Sequence, residues 1–414
     1  MNEKIFNKVN DLDIKRSDII YKNMKDQNFL TEYYKLKIND IVEKIKNSEI
    51  SGSSPTDIFI GSYGYPKVLI GPLVSLDSNN TSILAKPELW ANMNIKTILD
   101  MRSKLIRGIH VSNIFDVEKG KIQEYIRDLA LAQSPALTEM TLLKKPLIRI
   151  KFDDQIQPYG PTAEFNKIEL SNIKPDKDLE AKYYDTDANA NISVIELYKN
   201  KVQVSKIQQA LSAGLFGLKN KRKFVPTRWS ITAVDDIVSK NLREKIKENN
   251  SVDAIYAYHS IALDNHWLIF FMPGNWEFES IESWYPKTTW NKTNTISICS
   301  SYEGFKGRST YAEISGGYYA ARLAVAEKLN KLNKQAIVLI LREIHENYSV
   351  PVGVWNIREH LRESLKKEPT VLNNINDIYN LISKYLTVPV KNWKENSKIL
   401  KGILTQKRIN EYIL

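Results

Sequence analysis

The chain contains one cysteine, Cys299, in 414 residues. A single thiol excludes an intrachain disulfide, a CxxC redox pair and a zinc finger or zinc ribbon. Cys299 stands in the segment SICSSYEG without an obvious histidine partner. We therefore expect a buried thiol and not a nucleophile.

The sequence also lacks an apolar run near the roughly 20 residues that a membrane-spanning helix requires. Its longest apolar runs, residues 267–272 and 336–341, have the length of buried strands. The first residues, MNEKIFNKVNDLDIKR, mix charged and apolar side chains and lack the apolar core of a signal peptide. We expect a cytoplasmic protein with no membrane partner.

Glycine and proline, with 16 and 15 residues, are too few for a collagen-like or linker-dominated chain. Hydrophobic residues make up 43% and charged residues 26%, which is typical of a soluble globular protein. The formal net charge is +11, which favours an anionic partner such as DNA or a nucleotide. The lysine-rich composition of a thermophile with an AT-rich genome is the alternative explanation.

The hydrophobic pattern predicts a mixed α+β or α/β fold. A larger N-terminal region precedes a smaller C-terminal region and an extended tail. We expect a helical N-terminal segment at 1–56, a large region at 57–290, a smaller region at 291–390 and a basic tail at 391–414. Particular expectations are a linker at 51–57, a strand at 142–152, a helix at 231–248 and a hairpin closed at 264–265.

The densest basic stretch, LKNKRKFVPTRW, spans residues 218–229 and contains no acidic residue. It follows two glycines and precedes a predicted helix, so we predict a loop. Basic side chains beside a tryptophan suit phosphate contact with base stacking. The alternative is a solvated loop whose charge pairs with carboxylates in the first turn of the next helix. The candidate ligand residues are Lys219, Lys221, Arg222, Lys223, Arg228 and Trp229.

Two short helices predicted before this stretch, at 192–198 and 204–213, have the arrangement of a helix-turn-helix. In that alternative, Lys206, Gln208 and Gln209 would face bases in a major groove. The pattern is generic, because any helical hairpin shows it.

Three further arginines are candidate anion ligands. Arg308 and Ser309 stand just before a predicted helix, where free backbone amides favour phosphate. Arg102 and Arg107, in MRSKLIRG, are equally suited to an internal ion pair or to a bound anion. A P-loop is excluded, because no GxxxxGK[ST] pattern occurs in the chain.

Several carboxylates suggest a divalent metal as an alternative. The segment 185–196, DTDANANISVIE, places two aspartates as in a calcium loop, but its sixth residue is Ala190 and not glycine. We favour a helix N-cap there, and keep Mg²⁺ or Mn²⁺ for phosphoryl chemistry as the alternative. The candidate catalytic residues are Asp185, Asp187, Asp235, Asp236 and His259.

His259 and His266 flank the turn of the predicted hairpin. With the turn at 264–265 they would lie about 13 Å apart, at ~3.3 Å per residue. That distance excludes one shared metal. His259 stays a candidate acid or base in a pocket.

The segment QKRINEYIL, residues 406–414, contains the spacing Q-x-x-I-x-x-Y-I. A short 3₁₀ turn would point Ile409 and Tyr412 into one apolar pocket and Gln406 into a polar socket. The pattern is similar to the clamp-binding box of proteins that bind the sliding clamp PCNA. It departs from that box at Ile413, where a second aromatic is usual. An amphipathic helix is the alternative.

Longer segments resemble one family. Five segments are similar to the archaeal Nre family: FIGSYGYPKVLIGPL, MRSKLIRG, FNKIELSNIKPD, LKNKRKFVPTRWSITAVDD and YEGFKGRSTYAEISGGYYAARLAVAEKL. The resemblance covers about residues 57–369, with the boundary between the two family regions near residue 290. It implies DNA repair through PCNA, with the clamp box at Gln406, Ile409, Tyr412 and Ile413. It supplies no reaction, and the cysteine cluster of some members is absent here.

Three functions fit these observations. The first is a DNA repair protein recruited to PCNA, with a basic core that binds DNA or a nucleotide. The second is a metal-dependent phosphoesterase or nucleotide hydrolase in which Arg222, Arg228 and Arg308 hold phosphate. The third is a scaffold that binds only proteins. Whether the chain is an enzyme stays open, and no cofactor is certain.

Overall fold

The computed structural model describes residues 29–405 apart from residues 46, 47, 79, 80, 151 and 287. The helices are α1 (Phe29–Lys44), α2 (Ile95–Ser103), α3 (Lys121–Leu131), α4 (Lys177–Tyr184), α5 (Ala190–Lys199), α6 (Val204–Ser212), α7 (Thr227–Ile246), α8 (Gly316–Leu332), α9 (Trp355–Ser364), α10 (Ile375–Tyr385), α11 (Val390–Asn396) and α12 (Lys398–Thr405). Short 3₁₀ helices lie at Ser82–Ala85, Pro87–Leu89 and Lys219–Lys221.

The strands form two sheets, so the fold is mixed α+β, as the pattern predicts. They are β1 (Glu49–Ser54), β2 (Ile58–Ile60), β3 (Lys67–Ser75), β4 (Leu105–Asn113), β5 (Ala136–Leu142), β6 (Thr162–Ser171), β7 (Ile255–Ala262), β8 (Asn265–Met272), β9 (Glu277–Trp284), β10 (Ser297–Glu303), β11 (Ile337–Ile344) and β12 (Thr370–Leu372).

The first sheet has the order β1-β5-β6-β4-β3-β2, with β4 and β6 parallel and the other pairs antiparallel. Ser53 of β1 also pairs with Ser75 of β3, which curls the sheet towards a barrel. The paired strands β3 and β4 are so close at this point that a Cβ at Gly71 would lie 2.0 Å from the Gly108 carbonyl oxygen. Glycine is therefore required there.

The second sheet has the order β10-β9-β11-β8-β7-β12, with β9 and β11 parallel. Its central strand β8 is apolar on both faces. Trp267, Ile269 and Phe271 pack against a layer of helices that includes α7 and α8. Leu268 and Phe270 pack on the opposite face with residues of α10 to α12. Because helices cover both faces, β8 shows an unbroken apolar run.

Two predictions about local structure are wrong, and two are confirmed with shifted boundaries. The predicted linker at 51–57 is largely strand β1, whose residues pair with β5. The predicted strand at 142–152 does not form. Strand β5 ends at Leu142, and residues 143–150 contribute only the isolated bridge between Leu147 and Thr162. Helix α7 begins at Thr227, directly after Pro226, since proline fits a helix start and lacks the amide that a helix interior uses. Trp229 is therefore helical, and Asp235 and Asp236 lie in the third turn.

The predicted hairpin is present, but its turn lies one residue earlier in the chain. The turn is formed by Leu263 and Asp264, both with positive φ, so that Ala262 pairs with Asn265. Consequently His259 lies opposite Leu268, two positions from His266. Such diagonal neighbours are about 7–8 Å apart, not 13 Å.

The second sheet also crosses the expected boundary at residue 290, since β7 to β9 precede it and β10 to β12 follow it. Within the expected basic tail, the structure describes helices α11 and α12. Trp393 and Leu400 are fully buried against the second sheet, so the chain is not extended there. No helix in the described part of the chain has the length and apolar character needed to cross a lipid bilayer.

Candidate nucleic-acid interface

A cleft opens where the two sheets and the helix layer meet. Two adjoining cavities of about 520 and 150 Å³ form it, and Arg228 lines both. We call it the arginine cleft. Its walls come from the β2–β3 loop, β4, the loop 153–160, the start of α7 and the segment before α8. The residues that line it include Phe59, Tyr63, Arg107, Asp153, Tyr159, Arg228, Trp229 and Tyr311.

Arg107 is the cation at the inner end of the cleft. Its Nη1 donates to the Tyr159 hydroxyl at 2.8 Å, and its guanidinium carbon lies 3.6 Å from the Phe59 ring centroid. Burial lowers the pKa of Arg107, and Tyr159 opposes the shift. The buried Nε has no hydrogen-bond partner among the described residues. A guanidinium remains charged in proteins, so this side chain is suited to an anion.

Arg228 is anchored at the mouth by two carboxylates. Its Nη2 donates to Asp154 at 3.1 Å, and its Nε lies 3.8 Å from Asp153. Asp153 is fixed in turn by the backbone amide of Gln155 at 2.8 Å. Burial, then the Asp153 charge, raises the pKa of Asp154, and Arg228 lowers it. About a third of the Arg228 side chain is exposed and faces the cavities.

An aromatic rim surrounds these arginines. The Tyr65 and Trp229 rings lie 5.3 Å apart and are 41% and 46% exposed; we call this pair the aromatic platform. Tyr63 is 92% exposed and Tyr311 56% exposed. Monomeric proteins rarely display aromatic side chains in such a cluster without a partner for them.

The tight β2–β3 loop explains why the two tyrosines point outwards. Gly64 has a φ of +81°, and the amide of Lys67 donates to its carbonyl at 2.9 Å. A Cβ at Gly64 would lie 2.7 Å from the Lys67 carbonyl oxygen. Glycine therefore permits a turn that leaves Tyr63 and Tyr65 on its outer side.

The basic stretch divides into two kinds of residue. Lys219 and Lys221 are exposed, and the Lys223 ammonium lies 3.5 Å from the Tyr65 hydroxyl, beside the platform. Arg222 instead is buried and donates to the carbonyls of Gly217, Tyr183 and Asp185 at 2.7–2.9 Å. Arg222 thus braces the loop, whereas the lysines extend the positive surface of the cleft.

Two other predicted anion ligands are also engaged within the fold. Arg102 is fully buried, pairs with Asp57 at 3.0 Å and donates to two backbone carbonyls. Arg308 pairs with Glu313 at 2.9 Å and donates to the Tyr311 carbonyl. Ser309 is exposed, but lies on the loop that Arg308 braces.

The predicted catalytic carboxylates are not brought together. Asp185 pairs with the Lys182 ammonium at 3.1 Å and accepts from the Ala188 amide. Its segment ends in α5, which Asn189 caps, so no calcium loop forms. Asp187 is exposed at the same turn.

Asp235 and Asp236 lie on α7, with separate partners. Asp235 is fully buried and accepts from Arg358 Nη1 at 2.9 and 3.0 Å. Burial raises the pKa of Asp235 to about 6, and Arg358 opposes the shift. Asp236 pairs with Arg322 and, at 2.7 Å, with Lys240.

His259 stacks on Tyr385 at a centroid distance of 4.0 Å, and His266 stacks on His345 at 4.2 Å. Burial lowers the pKa of His259, and the nearby His266 adds to the shift. Within residues 29–405, where described, no three histidine, cysteine, aspartate or glutamate side chains are grouped to hold a metal.

The helix-turn-helix alternative also fails, because the side chains that would face bases make hydrogen bonds within the protein. Gln208 is buried and donates to Asp235, Gln209 donates to Asp57 at 2.6 Å, and the Lys206 ammonium donates to the Ala132 carbonyl. Burial lowers the pKa of Lys206 to about 8. All three side chains are therefore engaged in hydrogen bonds within the protein, and none of them is exposed.

Gln406, Ile409, Tyr412 and Ile413 lie outside the described residues. Sequence reasoning found Arg107, Arg228 and Trp229, but not Tyr63, Tyr65, Tyr159 or Tyr311. Tyr63 and Tyr65 stand in the segment FIGSYGYP, whose density of glycine and proline is a local signal of a shaped loop. Nothing in the sequence placed that loop beside α7.

Family models match almost all of the chain. Residues 29–291 match the N-terminal region of archaeal Nre, and residues 303–412 match its C-terminal region. DNA repair protein NreB of Archaeoglobus fulgidus is 38% identical over 85% of this chain and 89% of its own length. DNA repair protein NreA of the same organism is 35% identical, over 84% and 88%. NreA of Haloferax volcanii is 32% identical, over 88% and 89%. No solved structure matches the chain.

Proposed function

The chain belongs to the archaeal Nre family, and we propose that it is a DNA repair protein that binds unpaired DNA in the arginine cleft. Its relatives are named DNA repair proteins. The observation that supports DNA binding most directly is the position of Arg107 and Arg228 beside the exposed pair of Tyr65 and Trp229.

The two arginines would contact phosphates. Arg107 has no ion-pair partner among the described residues, and its buried Nε is unpaired. Arg228 is oriented by Asp153 and Asp154 and keeps part of its guanidinium exposed. Arginine forms charge-assisted hydrogen bonds to phosphate in a fork geometry. Neutralised phosphates release counterions, so binding would weaken with salt.

The aromatic platform selects unpaired DNA. A base can stack on Trp229 or Tyr65 only when its own face is open, as in a single strand, a gap or an extruded nucleotide. In an intact duplex each base face is covered by the neighbouring pair. Stacking of this kind contributes about 1–3 kcal/mol per base and tolerates any sequence.

The basic loop would extend the contact beyond the platform. Lys223 reaches the Tyr65 hydroxyl, and Lys219 and Lys221 are exposed further along. The formal net charge of +11 attracts a polyanion over a longer range. A strand that leaves the platform would therefore follow the lysines.

Recruitment to PCNA is a separate part of the proposal. It depends on the spacing of Gln406, Ile409, Tyr412 and Ile413, which is similar to a clamp-binding box. The box directly follows α12, which is packed under the second sheet as far as Leu400. A short peptide box beside a folded core can dock independently of the cleft.

Fluorescence anisotropy tests DNA binding in the cleft. We expect a labelled 20-nucleotide oligo(dT) to bind more tightly than the matching duplex, and Trp229→Ala to weaken it about 5- to 100-fold. Phe305→Ala is the matched control, because Phe305 is 44% exposed and lies over Lys247. Lys247 is 18 residues from Trp229, at the far end of α7, or roughly 27 Å away.

Equal affinities of the wild type and the Trp229→Ala variant, with melting temperatures unchanged, would overturn the assignment of DNA binding to this cleft. If Phe305→Ala lost as much DNA affinity as Trp229→Ala, the loss would not be specific to the arginine cleft. Tighter binding of the duplex would exclude stacking on the platform.

A further inference from the structure

A third cavity, of about 390 Å³, opens next to the arginine cleft. Ser315 lines both spaces, and Asp154, which anchors Arg228, stands at the border. We call it the Trp290 pocket, after the exposed tryptophan in its lining. It lies at the ends of β9 and β11, closed by the segment that precedes α9. Its volume is in the range of small-molecule sites.

Three aromatic side chains line the Trp290 pocket. Trp290 is 46% exposed at the entrance, Tyr348 is buried, and Trp284 is partly buried. Tryptophan and tyrosine faces pack against flat conjugated rings. The walls thus favour a planar ligand over a flexible aliphatic one.

The inner end of the pocket is polar. Arg342 Nη1 donates to Glu282 at 2.7 Å, and Arg342 Nε donates to Asn265 at 2.9 Å. The second terminal nitrogen, Nη2, makes no hydrogen bond to a described residue. Trp284 Nε1 donates to the other Glu282 oxygen at 3.2 Å. Both charged side chains are more than nine-tenths buried.

Gly317 leaves room beside this pair. A Cβ at position 317 would lie 3.2 Å from Glu282 Oε1. Without it, the carboxylate retains space on the pocket side for one more donor. Donor and acceptor groups therefore stand side by side at the end of a pocket with aromatic walls.

We propose that the Trp290 pocket receives one nucleobase, extruded from the strand that the arginine cleft holds. The base stacks against Trp290 and Tyr348. Its exocyclic amine donates to Glu282, and its adjacent ring nitrogen or carbonyl accepts from Arg342. This is the chemistry by which proteins recognise a flipped base. The inference rests on the proposed function, since the strand must lie in the cleft.

The pocket holds the base and does not attack it through its thiol. Burial raises the pKa of the Cys299 thiol, and the charges of Glu282 and Glu313 raise it further. Cys299 is therefore a protonated wall residue. Because it is also the only cysteine in the chain, it is a reporter for occupancy of the pocket.

The test measures two quantities on the full chain. Anisotropy gives the affinity for oligo(dT) carrying one central dC, dT or abasic site. The rate of Cys299 modification by 4,4′-dithiodipyridine gives the occupancy of the pocket. We expect the central dC oligonucleotide to slow modification, and the abasic one to leave it fast. We expect dC to bind at least about fivefold more tightly than dT, the discrimination of one good base contact.

Trp290→Ala is the main variant, because its side chain is half exposed and its loss should not disturb the core. The variant should still bind oligo(dT). The central dC oligonucleotide should no longer slow the modification of Cys299. Glu282→Gln should lose the preference for dC over dT. If Glu282→Gln fails to fold, the abasic oligonucleotide and Trp290→Ala decide the question alone.

The outcomes separate the two proposals. Tight DNA binding with an unprotected Cys299 overturns the base pocket and leaves the proposed function standing. Equal protection by the abasic oligonucleotide also overturns it, because the strand then only covers the entrance. Absence of DNA binding overturns both.

Discussion

The guanidinium of Arg107 lies 3.6 Å from the centre of the Phe59 ring and forms no ion pair with a described residue. Five residues earlier, Arg102 is fully buried and paired with Asp57. Both belong to the segment MRSKLIRG, yet only Arg107 faces the cleft. An arginine held by an aromatic face keeps its charge available for an anion.

Arg107→Gln should therefore weaken DNA binding and reduce its salt dependence. Loss of one phosphate contact lowers the slope of log K against log salt by about 0.7 for a single strand. Anisotropy titrations at several salt concentrations measure this slope. The matched control is Arg127→Gln, since Arg127 already pairs with Glu124 and Asp128 on α3. An unchanged slope for Arg107→Gln would show that Arg107 does not touch phosphate.

Asp235 should prove structural. Its carboxylate is the buried partner of Arg358 and also accepts from Gln208. Asp235→Ala removes one of the two carboxylates that pair with the buried Arg358 guanidinium and leaves only Glu359, which should lower the free energy of unfolding by about 3–5 kcal/mol. Denaturant titration measures the loss. A variant that is as stable as the wild type but loses an activity would support the catalytic role instead.

The pKa of Asp235 also predicts a pH dependence. Burial raises the pKa to about 6 in the folded protein, from an ordinary value of 3.8. Between those values the folded state binds more protons than the unfolded state, so the free energy of unfolding falls as pH rises. Asp235→Asn cannot titrate. The difference in stability between wild type and Asp235→Asn should therefore change between about pH 4 and 6 and be constant above pH 7.

Patterns within single segments predicted much of the fold. The apolar spacing located helices α5 and α6, and the apolar run located β8, because those signals are local. The platform was only half predicted. Trp229 stood out beside basic residues, but Tyr65 reaches it from a loop more than 160 residues earlier. No local period encodes such a contact.

The density of positive charge in the sequence did not distinguish anion ligands from arginines that stabilise the fold. Arg222 and Lys221 are adjacent in the sequence and equally positive. Only the structure shows that three backbone carbonyls meet at Arg222, whereas Lys221 remains exposed. Those carbonyls come from Gly217 and from the end of α4, which tertiary packing places beneath the loop.

The Lys221→Ala/Lys223→Ala double variant should keep its melting temperature and bind DNA with a smaller salt slope, because the two lysines are on the surface. Arg222→Ala should lower the melting temperature, since it leaves buried carbonyls unpaired. Thermal unfolding and anisotropy on both variants separate the two roles. The reverse pattern would mean that Arg222 is the DNA ligand.

The clamp box should bind PCNA mainly through its apolar anchors. Tyr412 and Ile409 would fill one apolar pocket of PCNA, and buried aromatic anchors dominate such contacts. Tyr412→Ala should weaken clamp binding by about 30-fold or more, the loss of a hot spot near 2 kcal/mol. Asn410→Ala, at a position between the anchors, is the control. Ile413→Phe should tighten binding by restoring the second aromatic.

Isothermal titration calorimetry with purified PCNA measures all three variants. Residues 29–405 should be unaffected, because helix α12 packs through Leu400 and precedes the box. DNA binding in the arginine cleft should be unchanged as well, since the peptide docks separately. Retained clamp affinity in Tyr412→Ala, together with no gain in Ile413→Phe, would leave an amphipathic terminal helix as the better explanation of the spacing.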